Sequence, residues 1–245
     1  RSACDGAMSC GWIFTENKWY YASPSGALAN GWQLIGGQWY WFDSLDGCSM
    51  VTGRRVIDGH PYLLGTYGLI NGWCLDNGLW YWGSNGEVLT GWLQTGNNWY
   101  WLDPANDGAM SRGLVSVGSS RYYLSDSGAM AVGWAFDGTD WYYADGSGAL
   151  ASGWRSVNGA WYWLDIANDN RMVTGFFSIG SNRYHFSSTG ALSLGWFMSD
   201  GDWYYAEPSN ASGIVKTGWL KDGSQYYYLD PAVDGKMLLG HFSVN

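Results

Sequence analysis

The side chains with most chemistry to offer in this sequence are its rings: 19 Trp, 18 Tyr and 8 Phe, against only 3 His. An electron-rich ring face attracts cations and packs against flat apolar faces without any proton changing hands. Proton transfer would fall to carboxylates and histidines. Asp43, Asp103, Asp165 and Asp230, however, all stand at one place in a recurring motif, directly after "WYWF", "WYWL" or "YYYL". A residue that recurs in register is expected to form a turn, its carboxylate accepting from nearby backbone amides. His60, His185 and His241 have no Ser or Cys nucleophile in a recognisable motif, and neither C-x-x-C spacing nor paired His marks a zinc site. The "GxG"-like stretches read as turns with no helix behind them. No catalytic residue, metal ligand or cofactor is expected.

What positions the rings is a repeat. A Gly opens a similar unit at Gly11, Gly31, Gly53, Gly72, Gly91, Gly113, Gly133, Gly153, Gly175, Gly195, Gly218 and Gly240. Eight of these are followed by Trp, and Met, Leu or Val stands three residues before every one. Each unit reads as a β-hairpin: a short strand, a turn pair such as Gly36-Gly37, Asn77-Gly78, Asp137-Gly138, Asn158-Gly159 or Asp222-Gly223, and an aromatic triplet such as "WYY" or "WYW". In the triplet the first and third residues share one face and the middle Tyr points to the other. Polar links such as "SPSGAL" and "NDGAM" join the units.

A longer period overlies the first, because Gly11, Gly72, Gly133 and Gly195 lie 61, 61 and 62 residues apart. Three hairpin types alternate. The first has "GW" with "WYY" or "WYW", the second "GW" with "WYWLD" and its variants, and the third lacks Trp, as in "GRRVIDGHPYLL", "GLVSVGSSRYYL" and "GFFSIGSNRYHF". An isolated hairpin is marginal in water, so neighbours must bury one another's faces. The expected fold is an all-β solenoid of about 12 tandem hairpins over residues 1–245, about three per superhelical turn. Residues 1–10 read as the tail of a preceding unit and 240–245 as a unit cut short, so the array is expected to be part of a larger multidomain protein.

Composition narrows the function. A net charge of −9 excludes a phosphate-backbone partner and suits a cationic one. No run of 18 apolar residues offers a membrane span. Four Cys, at 4, 10, 48 and 74, allow two disulfides in three connectivities, with Cys4–Cys10 and Cys48–Cys74 the expected pairing.

Units of the form "GW…G.WYY…G.M..GW" resemble the cell-wall-binding repeats of bacterial choline-binding proteins, over essentially the whole chain. That resemblance implies a left-handed solenoid with ligand cages between consecutive hairpins. Each cage takes the Gly-Trp tryptophan, the first tryptophan of the triplet and an aromatic of the next hairpin. On matching positions the sets are Trp12, Trp19 and Trp41; Trp73, Trp80 and Trp101; Trp134, Trp141 and Trp163; and Trp196, Trp203 and Tyr228. The tyrosine beside each third ring is the alternative closing residue. Leu28, Val88, Leu150 and Val215 are the apolar candidates nearby. Second-to-third-type junctions offer Trp32 with Trp39, Trp92 with Trp99 and Trp154 with Trp161. They are expected to close weakly, on Leu63, Tyr123 and His185, and the junctions after third-type hairpins are expected to be empty.

The implied function is a non-catalytic, secreted module that recognises choline or choline-decorated teichoic acid at the cell wall or surface of a Gram-positive bacterium, or in a phage lysin acting on it. Two alternatives stand beside it. One is a glucan-binding module, with Gln33, Gln38, Gln94 and Asn98 holding hydroxyls. The other is a structural stalk or adhesion solenoid, whose rings would serve packing alone.

Overall fold

Each Gly-opened unit folds as an antiparallel hairpin in the computed structural model, which describes residues 9–240. Eleven hairpins are formed among these residues: 11–22, 31–43, 53–65, 72–84, 91–103, 113–124, 133–144, 153–165, 175–186, 195–206 and 218–230, numbered 1 to 11 below. The strand expected after Gly240 and the tail expected before Cys10 fall mostly outside the described residues. Two-residue turns hold most hairpins, with both central residues at positive φ at Gly36-Gly37, Asn77-Gly78 and Asn158-Gly159. Two turns differ from the expected pairs. In hairpin 7 the Asp137 carboxylate accepts from the Thr139 and Asp140 amides and closes a wider loop. In hairpin 11, Asp222 still pairs with Gln225, so the turn moves on to Gly223-Ser224.

Register fixes which rings meet. The Gly-Trp indole lies directly across the hairpin from the third triplet residue, as Trp32 does from Trp41, Trp134 from Tyr143 and Trp196 from Tyr205. The first triplet residue is two positions away on the same face. The middle Tyr therefore faces the other way. Tyr40, Tyr81, Tyr142, Tyr184 and Tyr204 are buried there.

The second strand ends in a tight turn in every second-type hairpin. Asp43, Asp103, Asp165 and Asp230 each accept from the amide two residues on, at 2.9 to 3.1 Å, and cap a three-residue 3-10 turn. These recurring carboxylates are turn formers, as their register implied.

After the turn the link comes back along the hairpin, pairing Met50 with Phe42, Met110 with Leu102, Met172 with Leu164 and Met237 with Leu229. The Phe42, Leu102, Leu164 and Leu229 side chains are sealed. Links also lie against one another. A side chain built on Gly128 would collide with Met110, and one on Gly190 with Met172. Both glycines have positive φ, which together with that close approach explains the Gly two residues before the apolar residue of most links. Cys48 and Asn170 adopt the same positive φ before Met50 and Met172.

The chain gathers into two compact units. Of the described residues, one holds those up to Arg112 together with Asp126–Met130, and the other holds Gly113–Ser125 and those from Ala131 on. Within the first, Leu63 of hairpin 3 packs with Tyr81 of hairpin 4, Ile70, Cys74, Val88 and Ala109. Within the second, Leu114 and Tyr123 of hairpin 6 cover Tyr142, Ala144 and Leu150. Third-type arginines reach links two hairpins further on, pairing Arg54 with Asp107, Arg121 with Asp169 and Arg183 with Asp234, 48 to 53 residues away. Those contacts tie each third-type hairpin to a link nearly one 61- or 62-residue period further along, the kind of neighbour relation a solenoid requires. The expected Cys48–Cys74 disulfide is absent, since both are free thiols. Cys4 lies outside the described residues.

Candidate functional site

The same notch recurs between hairpins. Its first two walls come from one hairpin, where the Gly-Trp ring and the first triplet Trp stand nearly perpendicular. Their centroids lie 6.1 Å apart for Trp12 and Trp19, 6.4 Å for Trp32 and Trp39, and 6.3 Å for Trp73 and Trp80. In the second unit the values are 6.4 Å for Trp134 and Trp141, 6.3 Å for Trp154 and Trp161, and 6.5 Å for Trp196 and Trp203. These rings are not sealed in a core, as Trp19 is 38%, Trp141 44% and Trp203 42% exposed.

The third wall is the middle tyrosine of the next hairpin. Tyr40 lies 4.9 Å from Trp12, Tyr100 4.9 Å from Trp73, Tyr162 4.8 Å from Trp134 and Tyr227 4.7 Å from Trp196. This replaces Trp41, Trp101, Trp163 and Tyr228 as closing rings. Each of those four lies across its own hairpin from that hairpin's Gly-Trp, against Trp32, Trp92, Trp154 and Trp219 respectively. A strand cannot turn adjacent residues to one face, so only the Tyr reaches back.

The floor also differs from the expected one. The cavity at Trp73, Trp80 and Tyr100 includes Met110, and that at Trp134, Trp141 and Tyr162 includes Met172. Val88, Leu150 and Val215 belong to other junctions: Glu87 beside Val88 pairs with Tyr62, and Leu150 and Val215 donate their amides to the carbonyls of Arg121 and Arg183 in third-type hairpins. At the Trp32, Trp73 and Trp134 notches the link behind the second hairpin of the pair contributes to the floor through Leu69, Met110 and Met172. At the Trp154 notch the link after hairpin 10 does so through Asn210, Ala211 and Ser212. Leu28, which bridges to Ala22, lies between hairpins 1 and 2 and is exposed.

The second-to-third-type junctions close on other residues than those expected. Tyr62, not Leu63, closes the notch of Trp32 and Trp39, 4.9 Å from Trp32 and with Leu69 beside it. Tyr184, not His185, closes that of Trp154 and Trp161, 5.2 Å from Trp154. Leu63 is in the core, and His185 stacks on Phe197 at 4.3 Å with its Nδ1 2.8 Å from the Ser193 hydroxyl. Burial holds His185 below the usual histidine range. The junctions after third-type hairpins are filled by their own side chains, Phe176 lying 4.9 Å from Tyr204 and Tyr123 stacking on Tyr142. The Tyr142 hydroxyl donates to Asp137, and burial with this carboxylate pushes its pKa up to about 12.

Three first-to-second-type notches are clasped by an ion pair between the residue before the triplet and the next link. Lys18 meets Asp46 at 2.6 Å, Asp140 meets Arg171 at 3.2 Å and Asp202 meets Lys236 at 2.8 Å. The cavities hold roughly 310 to 390 Å³, at the small end for organic ligands. The Trp32 notch is lined by Trp32, Trp39, Tyr62 and Leu69, three rings and a leucine with no charged side chain among them. Such a surface suits a soft, poorly hydrated cation. A sugar would need polar groups beside the rings to hold its hydroxyls. The Trp32 notch has none on its lining, whereas Arg112 and Ser127, Ser188 and Thr189, and Asn210 and Ser212 stand at the Trp73, Trp134 and Trp154 notches.

The chain matches the cell wall binding repeat over residues 11–28, 30–44, 90–110, 113–130, 132–150, 152–165, 174–192, 195–209 and 217–232, more than half its length. CbpJ from Streptococcus pneumoniae TIGR4 is a similar solved structure, at 26% identity and a TM-score of 0.60, covering 93% of this chain and 100% of that one. Choline binding protein F from Streptococcus pneumoniae, crystallised with a peptidoglycan analogue, is also 26% identical with a TM-score of 0.60, over 95% of this chain and 94% of that one. The modular autolysin LytC from Streptococcus pneumoniae shares the fold at 22% identity and a TM-score of 0.56, the match covering 95% of this chain and 53% of LytC. No curated protein sequence matches the chain.

Proposed function

The chain belongs to the family of cell wall binding repeats, and from that membership we propose that it is a non-catalytic module that holds choline-bearing cell-wall polymers in its three-ring notches. The observation that carries this reading is the repetition of one geometry, two perpendicular indoles closed by a tyrosine, at six junctions within the two units. A packing role alone would bury the indoles, and none of them is buried: Trp19, Trp39, Trp141, Trp161 and Trp203 stay 38 to 45% exposed and the others are half-buried or exposed.

A trimethylammonium group donates no strong hydrogen bond and is drawn to ring faces by roughly 0.5–2 kcal/mol per contact. Three rings give a site of about millimolar affinity. A polymer carrying many such groups gains roughly 10²–10⁴ in avidity from several weak sites on one chain. The surface of a Gram-positive cell, reached by secretion, is the place where such a polymer and a module of this kind meet, and attachment to a further domain would make the module an anchor.

Retention on a choline-bearing resin tests the reading. The expected result is retention with release by free choline at a concentration where sodium chloride of equal ionic strength releases nothing. The salt control is needed because the net charge of −9 binds any cationic resin. Release by salt and choline alike would overturn the cage reading, and release by dextran in place of choline would move the site to a glucan.

A further inference from the structure

We infer that the notch between hairpins 4 and 5 selects a zwitterion, a quaternary ammonium carrying a phosphate ester a few bonds away, and that Arg112 reads its anionic end. This rests on the reading of the notches as quaternary-ammonium sites and makes one of them different from the rest.

The cavity there is lined by Trp73, Trp80, Tyr100, Met110, Arg112 and Ser127. Three rings and a methionine repeat the common pattern. A guanidinium does not belong to it, since the residues two positions after Met50, Met172 and Met237 are Thr52, Thr174 and Leu239. Arg112 is exposed and makes no ion pair among the described residues, whereas Arg54, Arg55, Arg121, Arg171 and Arg183 all do. The clasp that spans the other first-to-second-type notches is also missing here. Leu79 stands before the triplet and Ala109 before Met110, and the link's Asp107 is paired with Arg54, so no ion pair spans this notch among the described residues.

An uncommitted guanidinium on the wall of a cation cage has two consequences. It repels a simple cation such as choline. It also offers paired N–H donors to a phosphate oxygen, the geometry in which arginine binds anions best. A ligand whose cation sits among the rings and whose phosphate turns toward Arg112 satisfies both groups at once. The hairpin 7 and 8 notch, with no arginine on its lining, has no such preference.

Methionine methyl groups allow this to be read site by site, because Met110 and Met172 each lie in one cavity. The full chain, carbon-labelled at its methionine methyls, is titrated with choline and with phosphocholine, and the Met110 signal is assigned with Met110→Leu. The Met110 signal is expected to titrate at about three- to tenfold lower phosphocholine than choline, the size of a partly exposed charge-assisted contact. Met172 is expected to show a ratio near one. Arg112→Thr, a substitution at an exposed side chain, is expected to bring the Met110 ratio to that of Met172. Equal ratios at the two methyls in the unaltered chain, or a Met110 preference that survives Arg112→Thr, would overturn the assignment of Arg112 while leaving the cages standing. If neither compound moved either methyl, the cage reading itself would fall, and this inference with it.

Discussion

At the scale of single residues, the notch depends on which neighbour in a triplet faces backward. Tyr162 and Trp163 are adjacent, and only Tyr162 meets Trp134; Trp163 leans on Trp154 with its indole N–H buried and without an acceptor. Tyr162→Leu is therefore expected to weaken choline at the Trp134 notch by about two- to thirtyfold, the worth of one ring face. Trp163→Phe should leave that notch within twofold, because it alters a ring in another junction and deletes an unsatisfied donor. Met172 methyl shifts during a choline titration separate the two variants, and equal losses would return Trp163 to the cage. The alternation of faces was legible in the sequence. Its consequence was not: Trp163 shares a face with its own Gly-Trp, and that face looks forward along the array. Tryptophan looked the stronger ring, but period-two geometry outranks ring type.

At the scale of elements, the links carry more of the site than their small polar residues suggest. Gly190 belongs to the link after hairpin 9, yet a Cβ there would run into the Met172 sulfur, in the floor of the notch of hairpins 7 and 8. Gly190→Ala combines this clash with positive φ, so a loss of about 1–3 kcal/mol in urea unfolding is expected, accompanied by weaker choline binding at the Met172 methyl. Unchanged stability would show that the links slide freely. The third-type hairpins differ in how they fill the following junction, by Leu63, Tyr123 or His185. His185 is buried against Phe197, and burial depresses its pKa below 6.5. The unfolded chain thus takes up a proton that the folded chain resists. Stability is full above the unfolded value and falls as pH drops from about 6.5 through the depressed folded value. His185→Tyr, the residue of the sister hairpin, is expected to flatten Tm against pH between about 7 and 5, and an identical pH profile would remove His185 from the account. None of this was visible in the repeat, which marks third-type units only by what they lack.

At the scale of the whole molecule, a repeat in register was enough to read the fold, because each hairpin is local and each junction repeats a neighbour relation. The count of usable notches needed the structure. Sequence matching favoured four first-to-second-type junctions and discounted Trp32 and Trp154, whose closing tyrosines sit one residue before the positions expected. With these included, each unit contains three complete notches, at Trp12, Trp32 and Trp73 and at Trp134, Trp154 and Trp196. A ligand that binds the folded state alone adds RT ln(1 + [L]/Kd) for every site. Well above the dissociation constants, each tenfold rise in choline is thus expected to stabilise a unit by about 4 kcal/mol, three times the roughly 1.4 kcal/mol of one site. Urea unfolding across a choline series measures this slope. Trp141→Leu, which opens one notch of the second unit, should lower that unit's slope by about a third and leave the first unit's unchanged. A slope of one site per unit in the unaltered chain would mean that most of these ring clusters are packing and nothing more, because a notch that binds must also stabilise.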